Sequence, residues 1–157
     1  MFKITADNLK LIEGFEGLTL KPKQESGDRK GVITIGYGTI QYPPYYLDGK
    51  VVSLNDPAIT PHQAENFIEY EMESKCNALK ILFPIPLVQN RCDALISLTY
   101  EIGIQAIKTS TLRQVILSNQ DDIKVFHEWG RWIFSDGKTL VGMIKRREKE
   151  IKLWCKI

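Results

Sequence analysis

Near the start of the chain, Leu9, Leu11, Ile12 and Phe15 recur at helical spacing and fall on one side of a helix. Thr5 precedes them as an N-cap, and Gly14 and Gly17 weaken the far end, which leaves Glu16 in the last turn. From Leu18 to about Val52 the pattern changes. Glycines at 27, 31, 36, 38 and 49, prolines at 43 and 44, and the β-rich runs GVITIGYGTI and KVVSL predict a small antiparallel sheet. Helical periodicity returns at Thr60, where Thr60-Pro61-His62-Gln63 reads as a capping box with proline at the first helical position. Ala64, Ile68, Met72, Cys76 and Leu79 carry that helix onward as a long amphipathic one, and Pro84 and Pro86 stop it.

Shorter helices follow. One carries Cys92, Leu95, Ile96 and Thr99 and stops at Gly103; the next begins near Thr109–Ser110 with Leu112, Val115 and Ile116. A third runs from about Asp121 through Phe126 and Trp129, and the last carries Ile144, Ile151 and Cys155. The expected class is α+β within a single domain over residues 1–157. Its β lobe spans about residues 18–55, and its helical lobe takes about 60–157 together with the N-terminal helix. A cleft between two such lobes is the natural place for a ligand.

Composition narrows the function classes. Hydrophobic residues make up 43% of the 157, enough for a real core, and 21 basic against 19 acidic residues leave a formal charge of +2. That balance gives no support to a nucleic-acid partner. The charge is uneven, however: Gly142–Ile157 holds Lys145, Arg146, Arg147, Lys149, Lys152 and Lys156 against Glu148 and Glu150. Such a stretch is either a basic face for an acidic substrate or a plain solvated helix face. Cys76, Cys92 and Cys155 form no CxxC pair, and each falls on an apolar helical register, so buried free thiols are expected. The opening MFKITADN becomes polar too quickly for a signal peptide, and the longest apolar run, ILFPIPLV, is short and broken by prolines. A soluble, cytosolic protein is the expectation.

The chemistry centres on two carboxylates, Glu16 and Glu25, in FEGLTLKPKQE. Glycoside hydrolysis needs one carboxylic acid to protonate the leaving oxygen and a second carboxylate to hold a water or attack the sugar, roughly 5–5.5 Å apart for retention or 6.5–9.5 Å for inversion. Glu16, beside Phe15 and Leu18, has apolar neighbours that favour the acid form. Glu25, in a polar segment near Lys23 and Arg29, suits the ionised form. If LTLKP leads away and GVITIGYG returns, Thr34 faces Glu25 across the turn. On spacing alone, two glutamates nine residues apart carry little weight. Elsewhere, Tyr37 and Tyr100 suit either sugar stacking or the core, and Trp129, Trp132 and Trp154 suit packing. His62 and His127 lack partners at ligand spacing, so no metal site and no cofactor are expected. Gly36 and Gly38 read as letting the backbone approach a strand or a glycan. Arg146 and Arg147 read as reaching an active-site carboxylate or as surface charge.

LIEGFEGLTLKP, TIGYGTI, SLNDPAITPHQAE, SLTYEIGIQAIKTSTL and GMIKRREKEIKLW, in this order and over nearly the whole chain, resemble the phage-type lysozymes, the muramidases of glycoside hydrolase family 24. The resemblance implies a two-lobed lysozyme-like fold and hydrolysis of the β-1,4 bond between N-acetylmuramic acid and N-acetylglucosamine in bacterial peptidoglycan, with inversion. It implies Glu16 as general acid, Thr34 as the hydroxyl that places the water, and Gly38, Tyr100 and Glu101 against substrate. The family's second carboxylate, an Asp, falls on Glu25, a residue one methylene longer. Because the loop before Thr34 is longer than the shortest family pattern, Asp28 is a rival. Glu101 stands where Asn or Gln is usual, which adds a third carboxylate. The resemblance also implies a monomeric endolysin that gathers in the host cytoplasm and reaches the periplasm and cell wall once a holin opens the membrane. The alternative is a lysozyme-fold glycan-binding module that the two Glu substitutions have robbed of turnover.

Overall fold

The computed structural model describes residues 2–26, 30–118, 121–135, 138–139 and 141–156. The elements run α1 (Ala6–Glu16), β1 (Thr19–Gln24), β2 (Ile33–Gly36), α2 (Pro61–Leu82), α3 (Gln89–Ile102), α4 (Ile104–Thr109), α5 (Thr111–Leu117), α6 (Asp122–Gly130), β3 (Phe134–Ser135), β4 (Lys138–Thr139) and α7 (Val141–Trp154). The α+β class is as expected. The chain divides into two compact units, residues 9–73 and residues 1–8 with 74–157.

In the unit of residues 9–73, β1 and β2 pair antiparallel with Thr19 opposite Gly36, Lys23 opposite Thr34 and Gln24 opposite Ile33. The register slips between Thr19 and Lys23, a bulge that twists β1. KVVSL forms no full strand: Val51 makes one isolated bridge to Gln41. The sheet is therefore smaller than its β-rich sequence suggests. What holds this unit is a cluster of Ile35, Tyr42, Val52, Ile59, Ala64 and Phe67, with Ile33, Tyr37 and Tyr46 packed on it. Tyr37 thus belongs to the packing. The capping box forms as read: Thr60 Oγ1 accepts from the Gln63 N–H at 3.2 Å, and Gln63 Oε1 accepts from the Thr60 N–H at 2.8 Å. Gly36, at φ 66°, pairs with Thr19 of β1 and also lies close against α2. A Cβ there would stand 3.3 Å from the Ala64 Cβ, so both backbone angle and space require glycine.

In the other unit, Thr5 caps α1 as expected, its Oγ1 accepting from the Asn8 N–H at 3.1 Å. The same hydroxyl donates to Asp93 Oδ2 at 3.2 Å, and Asn8 Nδ2 donates to the Asp93 carbonyl at 2.8 Å, fixing the chain's start on α3. Every residue of α3 from Cys92 to Thr99 is buried, so this helix is surrounded by others. Gly103, at φ 83°, ends it, and the chain at once re-enters the short helix α4, which periodicity could not show in six residues. Ser110 and Asp121 cap α5 and α6 with their side chains.

The last helix corrects two expectations. α7 buries Arg146, Arg147, Glu150 and Trp154, not the face of Ile144, Ile151 and Cys155. Cys155 is exposed, while Cys76 and Cys92 are buried thiols. The Trp129 and Trp154 rings meet edge to face at 5.3 Å. Among the described residues no helix is long and apolar enough to cross a membrane.

Candidate active site

Glu16 is the final residue of α1 because the next residue cannot continue a helix in this conformation. Gly17 takes a φ of 70°, and its N–H donates to the Glu13 carbonyl at 3.1 Å. The Glu16 carboxyl therefore stands at the negative end of the helix macrodipole. It is half-buried, but Leu18 is 42% exposed and supplies less of an apolar surrounding than FEGL suggests.

Thr34 and Glu25 are brought together by the β1–β2 ladder. The Glu25 N–H donates to the Val32 carbonyl at 2.8 Å, extending the pairing one step past Gln24–Ile33. This places the Glu25 side chain on the face of β2 that carries Thr34. Thr34 Oγ1 donates to Glu25 Oε1 at 2.6 Å. A hydroxyl has one proton, and here it points at a carboxylate oxygen, so the bond fixes that oxygen in place. Lys23 Nζ lies 3.6 Å from the other oxygen, Oε2. Thr34 is only 1% exposed, whereas the Glu25 side chain is 24% exposed. The hydroxyl is thus the buried anchor and the carboxylate the open end of the pair. Asp28, the rival carboxylate, lies outside the described residues. Gly38 occupies the turn after β2 at φ 93°, a conformation that suits glycine.

The remaining expected site residues stand on α3, in the other unit. Tyr100 carries Lys75 Nζ over one face of its ring, 4.8 Å from the centroid. Glu101 is neither a bare anion nor a loose surface charge. Its Oε2 accepts from Arg147 Nη2 and lies 3.3 Å from Arg146 Nε. The two arginines are buried and also hold Glu150. Glu150 Oε1 accepts from Ser97 Oγ at 2.7 Å, and its Oε2 accepts from Trp129 Nε1 at 3.0 Å, while Arg146 Nη2 donates to the Ser97 carbonyl at 3.0 Å. Burial pushes the Glu150 carboxyl up from its ordinary range, and Arg147, Trp129, Ser97 and Arg146 pull it back. Two guanidiniums against two carboxylates make this a charge-balanced core, so the basic C-terminal stretch is much less of an open cationic face than its composition implies. The pattern was present in the sequence, since Arg146 and Arg147 stand four and three residues before Glu150. The apolar register of Ile144, Ile151 and Cys155 hid it. Among the described residues no three His, Cys, Asp or Glu side chains gather as metal ligands.

The family model described as Phage lysozyme matches residues 13–150. The chain belongs to the phage lysozyme family. Within it, the chain is 33% identical over 156 residues to the endolysin of Acyrthosiphon pisum secondary endosymbiont phage 1, covering 96% of this chain and 97% of that protein. It is 31% identical over 151 residues to the endolysin of Bacillus phage B103, covering 96% of this chain and 53% of that one, so it spans about half the length of that relative. Its fold matches the endolysin from Escherichia coli O157:H7 phage FAHEc1 with a TM-score of 0.82 at 32% identity, over 98% of this chain and 94% of the other. The matched residues include the FEG helix end, the β1–β2 pair and α7 as far as Glu150.

Proposed function

We propose that the chain is an endolysin that hydrolyses the β-1,4 bond between N-acetylmuramic acid and N-acetylglucosamine in bacterial peptidoglycan. The observation that carries this is the 2.6 Å bond from Thr34 to Glu25, made across the strand pair that follows the helix-ending Glu16 in a phage lysozyme family member. Glu16 donates its proton to the glycosidic oxygen as the C1–O bond breaks. A water held on Glu25 attacks C1 from the opposite face and gives its proton to that carboxylate, which inverts the anomeric centre. Thr34, buried beneath, acts chiefly on Glu25: it fixes the carboxylate, and the carboxylate positions the water. Gly38 lets the backbone lie close to the glycan. Glu101, neutralised by Arg146 and Arg147, contributes little repulsion to an anionic substrate. The protein works as a monomer without a cofactor, gathers in the host cytoplasm, and meets the wall after a holin opens the membrane.

Lysis of permeabilised cells, followed as loss of turbidity, tests this. Wild type is expected to clear the suspension and release muropeptides. Glu16→Gln is expected to bind sacculi and release none. Binding by wild type without released muropeptides would instead mark the chain as a glycan-binding module.

A further inference from the structure

We infer a second carbohydrate-binding surface, a tyrosine platform formed by Tyr45 and Tyr70 in the unit of residues 9–73. It rests on the peptidoglycan reading for its ligand, and on local geometry for its existence. The two rings lie 5.9 Å apart at 89° and form an open corner, with Tyr45 63% and Tyr70 42% exposed. Large exposed aromatics carry a cost in solubility, and two together mark a contact surface. Tyr45 is also held still. Tyr45 Oη donates to the Asn66 carbonyl of α2 at 3.1 Å, which pins the ring's orientation.

The loop beneath is rigid for separable reasons. Pro43 and Pro44 fix their own backbone angles, and the Tyr46 N–H donates back to the Pro43 carbonyl at 2.9 Å. Tyr46 turns inward to pack on Tyr42 and Phe67, at 5.1 and 5.0 Å between centroids. Leu47 and Asp48 then adopt left-handed angles, φ 44° and 54°, before Gly49 at 68°. Two consecutive non-glycine residues in that region store strain, which persists only where the surroundings over-determine it. The strained turn sends Tyr46 in while Tyr45 faces out.

A preset, nearly perpendicular pair of aromatic faces suits a pyranose ring. The sugar's C–H face stacks on one ring and its edge meets the other, with little side-chain entropy lost on binding. Glu69, exposed and next to Tyr70 on α2, is an acceptor for hydroxyl and acetamido groups. A contact of this kind, added to a site that grips the same polymer, raises retention on a long glycan strand by effective concentration.

The test titrates the N-acetylglucosamine tetramer into the ¹⁵N-labelled Glu16→Gln chain, which binds without cleaving. Amides of Tyr45, Asn66 and Tyr70 are expected to shift and saturate. Tyr45→Ala with Tyr70→Ala should weaken that response about tenfold, and Tyr70→Phe, which keeps the ring and the Tyr45–Asn66 bond, should retain it. The Ala pair loses the Tyr45–Asn66 bond and the ring contact, so it should melt a few degrees lower, but its shifts elsewhere should match the parent's. Sacculus lysis by the wild type is measured alongside. Lysis with no shift at these three amides, or an Ala pair that binds as well as its parent, overturns the platform and leaves the hydrolase standing. Shifts at these amides without lysis overturn the hydrolase and leave the platform.

Discussion

Two groups of charged residues in this protein are built in opposite ways. On the β1–β2 pair, one carboxylate is held by one buried hydroxyl and one exposed lysine, and the side chain keeps about a quarter of its surface open. Between α3, α6 and α7, two carboxylates meet two guanidiniums, an indole N–H and a serine hydroxyl, almost all out of reach of water. The first arrangement fixes a carboxylate and leaves part of it open to solvent. The second pairs its charges with one another in the buried interior.

The contrast is sharpest in what mutations should do. Removing Glu150 leaves Arg146 and Arg147 buried without their main acceptor. Glu150→Ala is expected to lower unfolding free energy by about 3–5 kcal/mol, read from urea denaturation. The network already has a weak point: Arg147 Nη1 has no hydrogen-bond partner among the described residues, and Nε, 2.9 Å from Glu150 Oε2, is poorly aligned with it. A loss below about 1 kcal/mol would mean that water reaches this cluster and takes over its pairing.

Thr34→Val should do the reverse. The isosteric change removes the donor to Glu25 but keeps the buried volume, so stability should fall by only about 1 kcal/mol. Lysis should slow by about a hundredfold, because the carboxylate loses its fixed position. Equal effects on stability and rate would erase the distinction between the two clusters.

A smaller effect concerns pH. Lys50 Nζ stands 2.5 Å from Asp56 Oδ1, and the Ser53 N–H donates to Oδ2 at 2.8 Å. The Lys50 contact, helped by that N–H and opposed by burial, holds the Asp56 carboxyl below its ordinary value. A depressed folded value means stability that is full above the unfolded pKa of about 3.9 and drains as pH falls through the lower folded one. Wild type should therefore exceed Asp56→Asn in melting temperature near neutrality, with the gap closing below about pH 4. A gap that widens in acid would reverse the sign.

The hydrophobic pattern located most helices because their caps and periodic faces are local. Thr5, the Thr60–Gln63 box, Gly103 and Asp121 act within one turn, and each does in the structure what its position implies. The pairing of Thr34 with Glu25 was also legible, since two short β-rich runs joined by a glycine-containing loop suit an antiparallel hairpin. Three features were not. α4 is shorter than two helical turns and has no periodicity to read. Cys155 sits on an apolar register that α7 turns outward, because burying the Arg146–Arg147–Glu150 face took precedence. Glu101 looked like an added negative charge on a functional surface, and only the fold shows that α7 supplies its two counter-ions.

The most direct test of the central claim compares lysis rates of Glu25→Gln and Asp28→Asn. If Glu25, anchored by Thr34, is the second carboxylate, Glu25→Gln should lose about a hundredfold or more in rate while remaining folded, and Asp28→Asn should keep the wild-type rate. An inactive Asp28→Asn beside an active Glu25→Gln would contradict the account.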